Sequence, residues 1–111
     1  MNKLPDHVYV LGQHFRVELV HNLKSDGDPV SGETVGEYHR IRIDAGLDMA
    51  RQWQVLVHEY VHAVLHMVGV GNFLNDGTEE VVAQSLEYGI TQLLRQYGKQ
   101  LIRSIGTEEH K

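Results

Sequence analysis

The sequence predicts an α+β fold in which a small antiparallel or mixed sheet of three to four strands packs on two helices. Residues 14–20 alternate polar and apolar side chains, which is typical of a half-buried strand. Residues 49–68 and 78–105 instead show the spacing of amphipathic helices. The 111 residues contain no Pro/Gly-rich linker and no internal repeat, so we expect one domain over residues 1–111.

The first strands are predicted as a hairpin. Residues 8–11 and 14–20 flank Gly12-Gln13, a compact turn signal. Residues 22–32 have the composition of a loop, and residues 34–38 and 39–43 can supply one or two further strands. Arg40 and Arg42 alternate with Ile41 and Ile43, a pattern typical of an edge strand whose charged side chains prevent pairing with another chain.

Each helix has start signals. Asp48 is the predicted N-cap of the first helix, and Gly69 lies just past its end. Thr78 is the predicted N-cap of the second helix, and the polar tail after about residue 105, which includes His110, is expected to be disordered. The core face of the second helix is predicted to consist of Val82, Leu86, Ile90, Leu93 and Tyr97, with Glu80, Gln84, Glu87 and Thr91 forming a polar strip along one edge.

The first helix contains His58-Glu59-Tyr60-Val61-His62, which reads HExxH. Side chains four apart lie on nearly the same face of a helix, so two imidazoles can converge on one zinc ion. Glu59 points to the neighbouring flank, where it can act as general base on a water. His66 continues the same face, but a His62/His66 pair lacks a glutamate at the following position.

A catalytic zinc usually has three protein ligands, so a third is expected from the second helix. Glu79, Glu80 and Glu87 are the candidates, and first-turn carboxylates favoured by the helix dipole are an alternative explanation for Glu79 and Glu80. A second donor for an oxyanion is also expected, with His66, Tyr38 and Tyr88 as candidates.

These motifs resemble the small phage and prophage HExxH proteins related to the ImmA/IrrE-type gluzincins. An Ile-x-Ile run at residues 41–43 precedes the motif helix, and Glu80 lies three residues before the small apolar Ala83. Gln84 stands where larger relatives have an asparagine. The resemblance implies a minimal zincin-like domain, Zn²⁺ held by His58, His62 and Glu80, and a cleft-edge strand around residues 41–43 that pairs with an extended peptide.

Two functions are therefore considered. The first is a zinc metallopeptidase, phage or prophage encoded, in which a water activated by zinc and Glu59 attacks the bond of a peptide or protein substrate. The alternative is a catalytically silent zinc-binding or protein-interaction module of phage origin. The base beside the ligands favours the enzyme, because a structural site does not need one.

Composition limits the partners and the location. A net charge of −5 argues against general nucleic-acid binding. Arg95, Lys99 and Arg103 recur every four residues and could bind DNA or an acidic partner, although a solvated helix face explains them as well. There is no cysteine, no apolar run after the N-terminal charge and no stretch long enough to span a membrane. We expect a soluble cytoplasmic protein, in the host cytoplasm if a phage encodes it, whose oligomeric state the sequence leaves open.

Overall fold

A computed structural model describes residues 3–109, without the side chains at positions 71 and 106–109. The elements in chain order are β1 His7–Val10, β2 Gln13–Val20, β3 Lys24–Ser25, β4 Asp28–Pro29, β5 Gly32–Val35, a 3-10 turn Gly36–Tyr38, β6 Arg40–Asp44, α1 Met49–Met67, a 3-10 turn Val70–Phe73 and α2 Asp76–Glu109. A four-stranded mixed sheet in the order β1-β2-β6-β5 packs against helix α1, and helix α2 also packs against α1. The predicted α+β class and mixed sheet are confirmed.

Two tight turns organise the strands before the helices. Leu11 and Gly12, with φ of 50° and 83°, join β1 to β2 one residue earlier than predicted. Asp26 and Gly27, with φ of 51° and 85°, close the small β3/β4 hairpin inside the segment predicted as loop. Positive φ at both central residues is typical of hairpin turns, and Asp-Gly is a strong signal for them. The loop prediction for residues 22–32 was therefore wrong for this pair of short strands.

Strand β6 lies inside the sheet, which corrects its predicted place at the edge. It pairs in parallel with β2 and antiparallel with β5, so β5 is the edge strand on that side. Ile41 and Ile43 are fully buried. Arg42 lies 3.1 Å from the Glu33 carboxylate and 3.7 Å from that of Glu18, which are its cross-strand neighbours. The arginine thus pairs with both neighbouring strands and does not guard a free edge.

Helix α1 begins where predicted and ends one residue earlier. The Asp48 carboxylate accepts a hydrogen bond from the Arg51 backbone N–H at 2.8 Å, and Gly69 follows the last turn with φ of 77°. Val55, Leu56 and Ala63 are buried in the core against the sheet. The core cluster also contains Leu4, Val10, Phe15, Ile41 and Ile43.

Helix α2 differs from its prediction at both ends. Asn75 caps it, because the Asn75 side-chain oxygen accepts from the Thr78 N–H at 2.8 Å, whereas Thr78 was the predicted cap. The helix continues to Glu109, four residues past its predicted end at about residue 105, and the disorder expected of the tail stays a prediction. His110 and the last residue of that predicted tail lie outside the described residues. Within the described residues, neither helix combines the length and apolar character that crossing a bilayer requires.

The predicted core face of α2 is largely in solvent. Leu86, Ile90, Leu93 and Tyr97 are 41–53% exposed, and Val82 is half-buried. At 1.5 Å per residue, the 34 residues of α2 extend about 51 Å, whereas the 19 of α1 extend about 28 Å. The second half of α2 therefore passes beyond α1, and its amphipathic pattern has no matching surface within the described part of the chain.

Candidate functional site

The HExxH residues lie where α1 faces both α2 and the edge strand β5. His58 and His62 are one helical turn apart, with ring centroids 5.0 Å apart, and both contact carboxylates of α2. Glu59 is only 7% exposed, and its side chain lies against Thr34 of β5. The two imidazoles therefore face α2, whereas the Glu59 carboxylate faces β5.

Glu80 lies between the two histidines. Its Oε1 is 2.8 Å from His58 Nε2, and its Oε2 is 3.2 Å from His62 Nε2. One ligand atom from each of the three residues lies within 4.8 Å of the others. The structure therefore brings together the three residues that the sequence and the resemblance nominated as metal ligands.

The donor set and its spacing fit a zinc ion. Two imidazole nitrogens and one carboxylate are a usual set for zinc sites that keep a position for water. Zinc bonds of 2.0–2.1 Å at a tetrahedral angle separate two ligand atoms by about 3.3 Å. The three donor atoms here lie within 4.8 Å of one another, so small side-chain movements would bring them onto one ion. Occupancy of this group by zinc stays a prediction.

The other two candidate ligands occupy a different position. Glu87 Oε1 is 2.9 Å from His58 Nδ1, and Glu79 Oε2 is 2.6 Å from His62 Nδ1. A carboxylate that accepts the Nδ1 proton orients the ring and leaves the Nε2 lone pair for a metal. The geometry thus places Glu80 on the ligand side and Glu79 and Glu87 behind the rings.

The outer position of Glu79 and Glu87 is not apparent from the sequence. Helix dipole and polar patterning explain an acidic residue at the start of α2 equally well. Glu79 and Glu87 are eight residues apart, about 12 Å along α2, whereas the histidines are four residues apart, about 6 Å along α1. The two spacings differ, so the pairing of each glutamate with one histidine becomes visible only when α1 and α2 are packed together.

Glu59 is held by a residue that sequence reasoning missed. The Thr34 hydroxyl lies 2.9 Å from Glu59 Oε1 and 2.9 Å from the Glu59 carbonyl oxygen, and can donate to either. Burial raises the pKa of Glu59, and the Thr34 hydrogen bond and the two nearby imidazoles offset part of this effect. A carboxyl group with a raised pKa is better suited to accept and return a proton near neutral pH.

A cleft of about 330 Å³ opens beside the cluster, within the usual range of about 300–1,000 Å³ for ligand sites. Of the three oxyanion candidates, Tyr88 lines the cleft, and its hydroxyl accepts a hydrogen bond from the Gln84 amide at 3.0 Å. Tyr38 is 70% exposed, and the His66 ring lies against Gly36. The described lining residues are Val30, Ser31, Gly32, Arg51, Val55, His58, Glu59, Glu80, Gln84, Glu87 and Tyr88.

Comparison of the chain with protein-family models, curated proteins and solved structures found no match. The likeness to minimal gluzincins therefore stays a prediction from the residues that carry it.

Proposed function

We propose that the protein is a zinc-dependent hydrolase that cleaves peptide bonds in the manner of a metallopeptidase. The observation that carries the proposal is that two acidic residues of the site occupy different positions. Glu80 lies at the Nε2 atoms of both histidines, whereas Glu59 is buried on the other flank and bonded to Thr34. A site that only held a metal for stability would gain nothing from a desolvated carboxylate beside its ligands.

His58, His62 and Glu80 would hold the zinc, with Glu87 and Glu79 fixing the two rings. Bound there, zinc supplies a Lewis acid that polarises a carbonyl and makes water more acidic. Four carboxylates surround the two imidazoles, and this excess of negative charge favours a dication at their centre. They are Glu59, Glu79, Glu80 and Glu87.

Glu59 is the general base in this proposal. Its carboxylate takes a proton from the attacking water and returns it to the leaving amine. Thr34 keeps the carboxylate in one orientation through Oε1, which leaves Oε2 for the reacting groups. The raised pKa of Glu59 makes both proton transfers easier near neutral pH.

The edge strand β5 supports a peptide as the substrate. Ser31 and Gly32 line the cleft beside His58 and Glu59, and extended peptides commonly bind by adding to the edge of a sheet. The peptide-binding role that the resemblance assigned to residues 41–43 cannot apply, because β6 is paired on both sides. We assign this role to β5.

The test is hydrolysis of a mixed peptide library by zinc-loaded protein, read out by mass spectrometry, beside Glu59→Gln. The expected result is cleavage by the wild type and at least a 100-fold lower rate for the variant with its zinc retained, the order of effect of a general base. Glu37→Gln, at an exposed position in the 3-10 turn after β5, is the matched control and should cleave normally. Zinc retained by a wild type that cleaves nothing would instead favour a silent zinc-binding module.

A further inference from the structure

The cleft beside the cluster has a further depression on each side. It shares Glu59 and Glu80 with one of them, whose other lining residues include Asp76 and Glu79. It shares Arg51, Glu87 and Tyr88 with the other. That depression is also lined by Gln54, Thr91, Gln92 and Arg95. The three depressions lie side by side along α1 and α2, and we refer to them together as the groove.

The two ends of this groove carry opposite charges. Asp76 and Glu79 line one end. Arg51 and Arg95 line the other, together with Glu87, whose carboxylate is in contact with His58 Nδ1. Arg51 lies seven residues before His58 on α1, about 10.5 Å along the helix axis at 1.5 Å per residue. An extended peptide covers that distance with about three residues.

The two arginines are available to a ligand. The Arg51 guanidinium donates to the side-chain oxygen of Gln54 at 3.2 Å, and no carboxylate lies within ion-pair distance of Arg51 or Arg95 in the part of the chain whose side chains are described. Both residues are exposed at the rim. A guanidinium binds a carboxylate through two parallel hydrogen bonds, which makes arginine selective for this group.

We propose that this groove selects peptides with a carboxylate about three residues from the bond that is cleaved, bound by Arg51 and Arg95. This inference rests on the proposed function, since it names the substrate class of that site. The acidic end repels the same carboxylate, so the charge difference fixes which way the peptide lies in the groove. The carboxylate can be an aspartate or glutamate side chain or the C-terminus of a short peptide.

Binding can be measured without turnover in zinc-loaded Glu59→Gln. The probes are four fluorescein-labelled octapeptides of one otherwise neutral sequence, with glutamate or glutamine near one end and with a free or amidated C-terminus. We expect fluorescence anisotropy to show about tenfold tighter binding when the relevant carboxylate is present. Tighter binding of the glutamate peptide than of the glutamine peptide, with both C-termini amidated, identifies a side-chain carboxylate as the ligand. Tighter binding of the free-acid peptide than of the amidated peptide, with glutamine in both, identifies the C-terminal carboxylate.

The charge preference should disappear in Arg51→Gln/Arg95→Gln, made in the same Glu59→Gln background. Arg40→Gln, an exposed arginine on β6, is the matched control and should retain the preference. Equal binding of all four peptides, or a preference that persists without both groove arginines, would overturn the inference while leaving the proposed hydrolase untouched. No binding of any peptide, together with no cleavage of the library by the wild type, would overturn both.

Discussion

At the residue scale, the two ring nitrogens of each histidine in the cluster contact the carboxylates of two different glutamates. Nε2 of both His58 and His62 faces Glu80, while the Nδ1 atoms face Glu87 and Glu79. With a metal at the Nε2 atoms, the outer carboxylates would accept the Nδ1 protons and so fix one tautomer for each ring.

Removal of either outer carboxylate should weaken zinc binding without abolishing it. Glu79→Gln and Glu87→Gln keep the shape of the side chain but lose the charge that stabilises the Nδ1 proton, so we expect zinc affinity to fall by about 10–100-fold. Competition with a chromophoric chelator measures this affinity. Glu37→Gln is the control for loss of one acidic charge. Wild-type affinity in both variants would exclude an orienting role for Glu79 and Glu87.

The stability of the metal-free protein should depend on pH through Glu59. Burial raises the pKa of Glu59 above its ordinary value of 4.5, so its ionisation opposes folding as the pH rises through the folded-state pKa. Glu59→Gln cannot ionise and should therefore have a higher Tm than wild type at pH 7 in chelator. The gain should shrink as the pH falls below the folded-state pKa and disappear well below 4.5, where the wild-type carboxyl is protonated in both states. A variant that melts lower than wild type at pH 7 would contradict this.

At the element scale, the close approach of β5 to α1 positions Thr34 beside Glu59. A Cβ added at Gly32 would lie 2.5 Å from Val55 Cγ1 and 3.1 Å from Glu59 Cγ, so this strand can pack on α1 only with glycine there. The same strand lines the cleft and forms the edge of the sheet. The contact between these two elements thus shapes one wall of the site.

Gly32→Ala should push β5 away from α1. We expect a loss of stability of about 1–3 kcal/mol, the usual cost of overpacking, and weaker catalysis because Thr34 moves with the strand. Gly89→Ala, at a helical position of α2 with no atom within 4 Å of the added Cβ, is the control and should stabilise by about 0.5–1 kcal/mol. Thermal unfolding measures both, and a Gly32→Ala protein as stable as wild type would contradict the close packing.

Local signals predicted the elements better than their arrangement. The Asp48 cap, the HExxH periodicity and the first hairpin are encoded by neighbouring residues and were found within a residue or two. The place of β6 inside the sheet depends on parallel pairing with β2, which is a long-range choice. The Thr34 contact with Glu59 spans 25 positions and has no local signature. The histidine spacing is local, whereas the positions of Glu79, Glu80 and Glu87 around the rings depend on how two helices cross.

At the scale of the whole molecule, one core lies between the sheet and α1, and the second half of α2 stands outside it. Ile43 is fully buried in this core, whereas Ile102 of α2 is 67% exposed. Amphipathic spacing alone made the two ends of α2 look alike, because the pattern does not show where the neighbouring helix stops. Because of this difference in burial, Ile43 and Ile102 should contribute very differently to the free energy of unfolding.

The same truncation should have very different costs at the two isoleucines. Ile43→Ala should lower the free energy of unfolding by about 2–5 kcal/mol, because it removes buried methyl groups and leaves a cavity. Ile102→Ala should change it by no more than about 0.5 kcal/mol, as is usual for exposed positions. Urea unfolding followed by circular dichroism compares them. A large loss at Ile102 would mean that α2 is covered in solution.

The zinc content of the purified protein, measured by mass spectrometry beside that of His62→Ala and Glu80→Gln, tests the claim that His58, His62 and Glu80 hold a zinc ion. The three-ligand site predicts about one zinc per chain in the wild type, loss of the metal in His62→Ala and weaker retention in Glu80→Gln. His21→Ala, at an exposed position next to β2, is the control and should keep its zinc. A wild type that takes up no zinc when zinc is supplied, or a His62→Ala protein that binds it equally well, would contradict the claim.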